Sequence, residues 1–400
     1  MKKYYKTISL AAGLLCLLST TPVAAADSSE MENIRRQLEY LISQNQQLTR
    51  RIVELEGNGT RTAVTDPAPT DSSNEPSLSE KVSFSALIEG EFSYGNDYDG
   101  NTGSEFVLAT VELGLEAELN DWARTAILAL YEGGEENEQL IIDEGFLEIG
   151  NYDRFPFSIQ AGKLYVPFGN FETHMVQDPL TLEIGEISDF AVNIAFESAG
   201  LYGGIFSYNG MKDDGGSDVI KGYGAQFGYA MAHDSISIDT AVSYVSNIAD
   251  SGGISDFINN DIAKDTVHDQ VAGLGIHAIT AFGPTMLITE YLTALDNFNE
   301  TGEAAPELHY TSQPAAWNIE FSYSAEVGSI PGTVAVGLQG SKGAGDLGLP
   351  ESRYIAAVSL ELFPATALTF EYFFDTDYDT KDGGTDETSS TFTTQLACEF

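Results

Sequence analysis

From Lys81 to Phe400 the chain alternates between apolar and polar residues with a period of two. Val82, Phe84, Ala86, Ile88, Phe92 and Tyr94 share one parity, while Ser83, Ser85, Glu89, Glu91 and Ser93 share the other. Further on, Val107, Ala109, Val111, Leu113, Leu115, Ala117 and Leu119 alternate with Thr110, Glu112, Gly114, Glu116 and Glu118. Asn120-Asp121 then turns the chain into Trp122. Side chains on a pleated strand point to opposite faces in turn, so this texture predicts two-faced β-strands.

Sixteen such segments can be marked: 82–94, 105–119, 122–132, 140–149, 156–165, 190–197, 200–209, 219–231, 235–246, 269–280, 284–293, 313–325, 332–341, 352–362, 366–376 and 389–400. Their connections alternate in length. Long polar ones such as GNDYDGNTGS follow odd-numbered strands, and tight ones such as Phe363-Pro364-Ala365 follow even-numbered strands. An even number of antiparallel strands with long and short connections in alternation is the layout of an outer-membrane barrel. The expected fold class is an all-β transmembrane β-barrel of about 16 antiparallel strands, preceded by a short N-terminal α-helical coiled coil. A closed barrel has no free edge, so the last strand must pair with the first. The final segment, TFTTQLACEF, fits that role, with Phe400 in an aromatic girdle at the periplasmic rim.

The N-terminal part reads differently. Lys2, Lys3 and Lys6 precede the apolar run Ile8 to Leu18, and Ala24-Ala25-Ala26 follows, which predicts a signal peptide over 1–26. Residues 27–56 carry a heptad pattern with Met31, Leu38, Asn45 and Ile52 at a, and Ile34, Leu41, Leu48 and Leu55 at d. That predicts a periplasmic coiled coil. Asn45 at an a position with Leu at d suggests a dimer, whereas Arg51-Ile52-Val53-Glu54-Leu55-Glu56 resembles a trimer-forming motif; a homotrimer is the reading preferred. Residues 57–80 are rich in Pro, Ser, Thr and Asp, a flexible linker leading to the barrel at 81–400.

Charge narrows the partners. The chain carries 18 basic and 61 acidic residues, a net charge of −43, which excludes nucleic acid. The expected partners are outer-membrane lipid and a small hydrophilic solute, with possible cell-wall contact through the coiled coil. A carboxylate facing lipid is costly, so Glu89, Glu91, Glu112, Glu116 and Glu118 are assigned to the lumen as pore-lining residues. The five histidines, at 174, 233, 268, 277 and 309, lack metal-ligand spacing, and no Ser elbow accompanies them. No enzyme, cofactor or metal is expected.

One connection stands apart. Val166 to Asp189 follows the fifth strand and holds Phe171, Glu172, His174, Asp178 and Glu183 between the corners Pro167 and Pro179. Folded inward, it would narrow the lumen and present carboxylates that favour cations; folded outward, it would pack on the rim.

The stretch AGKLYVPFGNFETHMVQDPLTLEIGE (161–186), with DEGFLEIGN (143–151) before it, resembles the LbtU-type siderophore porin family. The resemblance extends to the layout of signal peptide, coiled coil, linker and barrel, although the short string VPFG also occurs in phosphate-selective porins. It implies uptake of an iron–siderophore complex without the globular plug of TonB-dependent transporters. An acidic lumen repels an anionic complex over about 10 Å at moderate salt. Two other readings therefore stand beside it: a general cation-selective diffusion porin, and a structural tether between outer membrane and cell wall.

Overall fold

The computed structural model describes residues 81–134, 139–210, 220–260, 270–298 and 313–400. The expected leader, coiled coil and linker lie outside the described residues. So do the coiled-coil positions Ile34, Leu38, Leu41, Asn45, Leu48, Ile52 and Leu55.

Sixteen antiparallel strands close on themselves, each bonded to its neighbours in chain order. They are β1 (Val82–Asn96), β2 (Thr102–Asn120), β3 (Ala123–Glu132), β4 (Ile141–Gly150), β5 (Phe157–Tyr165), β6 (Ser188–Ser198), β7 (Leu201–Tyr208) and β8 (Gly222–His233), then β9 (Ile236–Val245), β10 (Gly273–Phe282), β11 (Thr285–Ala294), β12 (Ala315–Val327), β13 (Ile330–Lys342), β14 (Ser352–Phe363), β15 (Thr366–Thr376) and β16 (Thr388–Glu399). The ring closes where β16 pairs with β1, from Leu87 opposite Glu399 to Asn96 opposite Ser390. Phe400 completes the seam: its N–H donates to Ala86 O at 2.9 Å, and Ala86 N–H donates to Phe400 O at 2.8 Å. Closure leaves no unpaired edge, which is what a hydrocarbon surround requires of a sheet.

The pleat sorts the side chains as the alternation predicts. Phe84, Ile127, Leu147, Phe227, Ile276, Phe321 and Val358 stand exposed on the outer surface. Among the paired strand residues, every Asp and Glu falls on the opposite, inward parity, from Glu89 and Glu91 on β1 to Glu371 and Asp375 on β15. Solvating carboxylates in a lumen while presenting an apolar band to lipid explains the separation.

Two details differ from the sequence reading. On β2 the register shifts opposite Glu89 and Gly90, so that Gly90 pairs with Leu108 and Glu91 with Val107. This bulge leaves Ala109 unpaired and flips the parity beyond it. Phe106 and Leu108 face outward at 83% and 47% exposure, whereas Val107 was expected on that face. A period-two pattern cannot reveal a bulge, because the extra residue looks like one more step of the alternation. The second difference is strand ends. β8 and β10 run two residues further than expected, because His233 pairs with Ile236 and Phe282 pairs with Thr285 across two-residue turns. Asp234 (φ 51°) and Gly283 (φ 55°) supply the left-handed backbone such turns need.

Inside the barrel the space is not uniform. Leu164, Val166, Phe168, Leu180, Ile184, Ile187, Val245, Ile248, Ile254 and Leu292 form a buried apolar cluster within the ring of strands. Its members come from β5, β9 and β11, from the β5–β6 connection with its short helix α1 (Leu180–Gly185), and from the β9–β10 connection with helix α2 (Gly252–Asn260).

Candidate pore constriction

The connection from Val166 to Ile187 folds into the barrel. Its base is closed by Val166 N–H donating to Ile187 O at 3.0 Å, and is tied to the next long connection by Gly252 N–H donating to Glu186 O at 3.0 Å. Phe168, Ile184 and Ile187 are buried in the apolar cluster. The chain reverses at Gly169 (φ 81°) and Phe171 (φ 57°). The Phe171 ring lies against Gly169 and Gly185. A Cβ on Gly185 would fall 2.4 Å from Leu292 Cδ2 and 2.9 Å from Phe171 Cζ, so glycine is needed there for close approach.

An irregular segment inside a barrel needs partners for its N–H groups. The inner wall supplies them. Glu290 on β11 accepts from Asn170 N–H at 2.6 Å, from Phe171 N–H at 3.3 Å and from Thr181 Oγ1 at 2.7 Å. Glu320 on β12 accepts from Thr173 Oγ1 at 2.6 Å and His174 N–H at 2.9 Å, and its Oε1 lies 2.8 Å from His174 Nδ1. Glu371 on β15 accepts from Val176 N–H at 2.5 Å and Gln177 N–H at 3.1 Å. Gln339 Oε1 on β13 accepts from Leu180 N–H at 3.2 Å. The three carboxylates are 5%, 1% and 2% exposed. The converging N–H and hydroxyl donors satisfy the carboxyl oxygens, which accounts for buried glutamates in this wall.

The residues singled out in the sequence divide between roles. Phe171 packs against the apolar cluster, and His174 is engaged with Glu320. Glu172 is half-buried, while Asp178 and Glu183 are exposed. Asp178 lies close enough to Glu89 and Glu91 on β1 for their charges to interact, and Glu112 acts on Glu89 as well. Glu116 and Glu118 share the inward parity of Glu112 but lie toward the other end of β2, opposite Ser83 and beside Arg124 respectively. Glu91 Oε1 accepts from Gln395 Nε2 at 2.9 Å. The arrangement therefore joins Asp178, Glu89, Glu91 and Glu112 in one acidic neighbourhood. Phe171 and His174 are engaged instead with the apolar cluster and with Glu320.

Glu290, Glu320, Glu371 and Gln339 were not distinguished in the sequence. Each shares the inward parity of the other strand carboxylates, so only the inward path of the connection reveals them. The inner-wall arginines are also committed. Arg353 on β14 donates from Nε and Nη2 to Asp375, both at 2.8 Å, with its guanidinium 4.5 Å from the Phe373 ring centroid. Arg124 on β3 is paired with Glu148. These pairs cancel positive charge that would otherwise offset the acidic neighbourhood.

No family model matches the chain. A UPF0422 protein of Coxiella burnetii (strain RSA 493 / Nine Mile phase I) is 28% identical over 309 residues, covering 74% of this chain and 65% of that protein. A UPF0422 protein of Legionella pneumophila subsp. pneumophila is 25% identical over 323 residues, covering 74% of this chain and 59% of its own length. The chain thus spans about 59% to 65% of the length of these curated relatives. Among solved structures, the outer-membrane channel DcaP of Acinetobacter baumannii superposes with a TM-score of 0.54 at 14% identity, over 80% of this chain and 97% of that one. OprB of Pseudomonas putida gives 0.56 at 10% identity, over 81% and 95%. The anion-selective porin of Comamonas acidovorans gives 0.55 at 11% identity, over 80% and 99%. The fold is that of outer-membrane porins. An anion-selective porin shares it, so ion preference has to be read from the side chains.

Proposed function

We propose that the protein is an outer-membrane diffusion channel that passes small hydrophilic solutes, prefers cations, and carries out no enzymatic chemistry. The observation that supports this most directly is the inward connection 166–187, which brings Asp178 to the acidic stretch Glu89 and Glu91 of β1 while Arg353 and Arg124 are held by carboxylates. Acid at the narrowest part of a water-filled pore raises the local concentration of cations and lowers that of anions. Glu112, Glu116 and Glu118 extend the acidic lining along β2. The chain works in this reading as a homotrimer whose coiled coil extends into the periplasm.

The test is electrical. Purified protein in planar bilayers under a KCl gradient should give discrete conductance steps and a zero-current potential of the sign set by K⁺ permeation. A zero-current potential of the opposite sign would refute cation preference, and the absence of steps would refute the channel.

A second reading gives the channel a specific cargo, a ferric siderophore. It rests on the segment 161–186, the part of the chain that resembles siderophore porins and also forms the constriction. With acid at that point, the complex carried would be neutral or cationic. Iron-starved cells lacking the protein should then take up less of the iron complex, whereas a general channel would leave iron uptake unchanged.

A further inference from the structure

The connection 166–187 has a base and a tip held by different forces. The base, 166–171 with 180–187, is buried in the apolar cluster through Val166, Phe168, Leu180, Ile184 and Ile187. In the tip, 172–179, Met175 is buried on the wall with Ala335, Ile355 and Ala357, and Pro179 is buried where the tip meets α1. Hydrogen bonds that fasten the tip come from Glu320, on Thr173 and His174, and from Glu371, on Val176 and Gln177. Phe171 in left-handed backbone and Pro179 capping α1 mark the two places where tip meets base. Asp178, which the tip carries, is the residue set near Glu89 and Glu91.

Building on the channel reading above, we propose that Glu320 and Glu371 are positioning residues: by gripping the tip they set the bore and ion preference of the pore, although they are buried beneath the tip. Two consecutive N–H groups converge on Glu371, and a backbone N–H and a hydroxyl converge on Glu320. Remove either carboxylate and those donors are left buried without an acceptor. Each stranded donor costs about 1–3 kcal/mol, so the tip relieves the cost by lifting into the water of the lumen. Met175 and Pro179 give it only a small apolar hold. Lifting the tip withdraws Asp178 from β1 and widens the passage.

Single-channel recording tests this, because it reads only molecules that have folded and inserted. Glu371→Ala and Glu320→Ala should each raise unitary conductance and weaken the preference for K⁺ over Cl⁻. Glu371→Gln and Glu320→Gln keep an acceptor oxygen and should move both quantities back toward wild type. Met175→Ala, which leaves both grips intact, should stay near wild type. A second readout does not depend on conduction: Met175→Cys, at a position buried against the wall, followed by mass spectrometry of its peptide, should react faster with a charged maleimide when Glu371→Ala is added. Alanine variants that conduct and select as wild type does, with unchanged labelling, would overturn the proposal while leaving the channel in place. A wild-type protein without conductance would instead overturn the channel reading, and labelling would still report whether Glu371 holds the tip.

Discussion

The inner wall of this barrel has two sides built to the same rule and used in opposite ways. On β11, β12 and β15, Glu290, Glu320 and Glu371 face inward and are buried, their oxygens filled by N–H and hydroxyl groups of the connection that lies over them. On β1 and β2, Glu89, Glu91, Glu112, Glu116 and Glu118 face inward by the same parity: Glu89 is buried, Glu91 and Glu112 are half-buried, and Glu116 and Glu118 are exposed. One side converts its carboxylates into fasteners and the other leaves them as charge. An inward glutamate in a barrel strand is therefore not by itself a selectivity residue. What covers it decides what it does.

Removing the covering element should change the most. Replacing 172–178 with a short Gly-Ser stretch takes away Asp178 together with every contact to Glu320 and Glu371. Conductance should rise beyond that of either single alanine variant, and ion preference should fall. The comparison between the two sides would break if the deletion left conductance unchanged, since the tip would then obstruct nothing.

Next in size is a reversal of charge on the open side. Glu89→Lys with Glu91→Lys places two positive charges opposite Asp178. A unit charge at about 4 Å is worth about 1 kcal/mol even in water, roughly a five-fold change in local ion occupancy per charge. The zero-current potential should move toward Cl⁻, and this separates the two sides, because Glu290→Gln on the covered side should leave it nearly in place. Glu116→Gln with Glu118→Gln should shift it in the same direction but less, since both residues stand exposed, where water and salt screen them.

Much of this molecule was legible in its sequence, for a physical reason. Lipid on one side and water on the other force the alternation, so all sixteen strands could be marked from it, most of them to within about three residues. The same force put Glu89, Glu91 and Glu112 in the lumen. What stayed hidden was whatever does not alter parity. The bulge at Ala109 adds a residue without interrupting the pattern, so the alternation puts Val107 on the outward face that Phe106 and Leu108 in fact occupy. Glu320 and Glu371 look in sequence like Glu112, because the partners that distinguish them lie about 146 and 195 positions away in the chain. Phe171 was expected in the constriction and does lie in the inward connection, but its ring serves the apolar base, a consequence of Gly169 and Gly185 making room for it.

The smallest effect belongs to Asn318, on the covered side. It sits between Glu290 and Gln339 in the register of β11, β12 and β13, is 1% exposed, and has no protein partner for either Oδ1 or Nδ2. Burying an amide without partners costs about 1–3 kcal/mol in proteins. Asn318→Leu keeps the number and branching of the side-chain heavy atoms and removes both polar atoms. Its urea unfolding midpoint in lipid vesicles should be equal to or above that of wild type, with conductance unchanged, because the residue neither grips the tip nor faces the open lumen. A lower midpoint would mean that ordered water completes the amide beneath the connection. The covered side would then be a hydrated bed for the loop, and the contrast with the open side would lie in how water is held rather than in whether it is present.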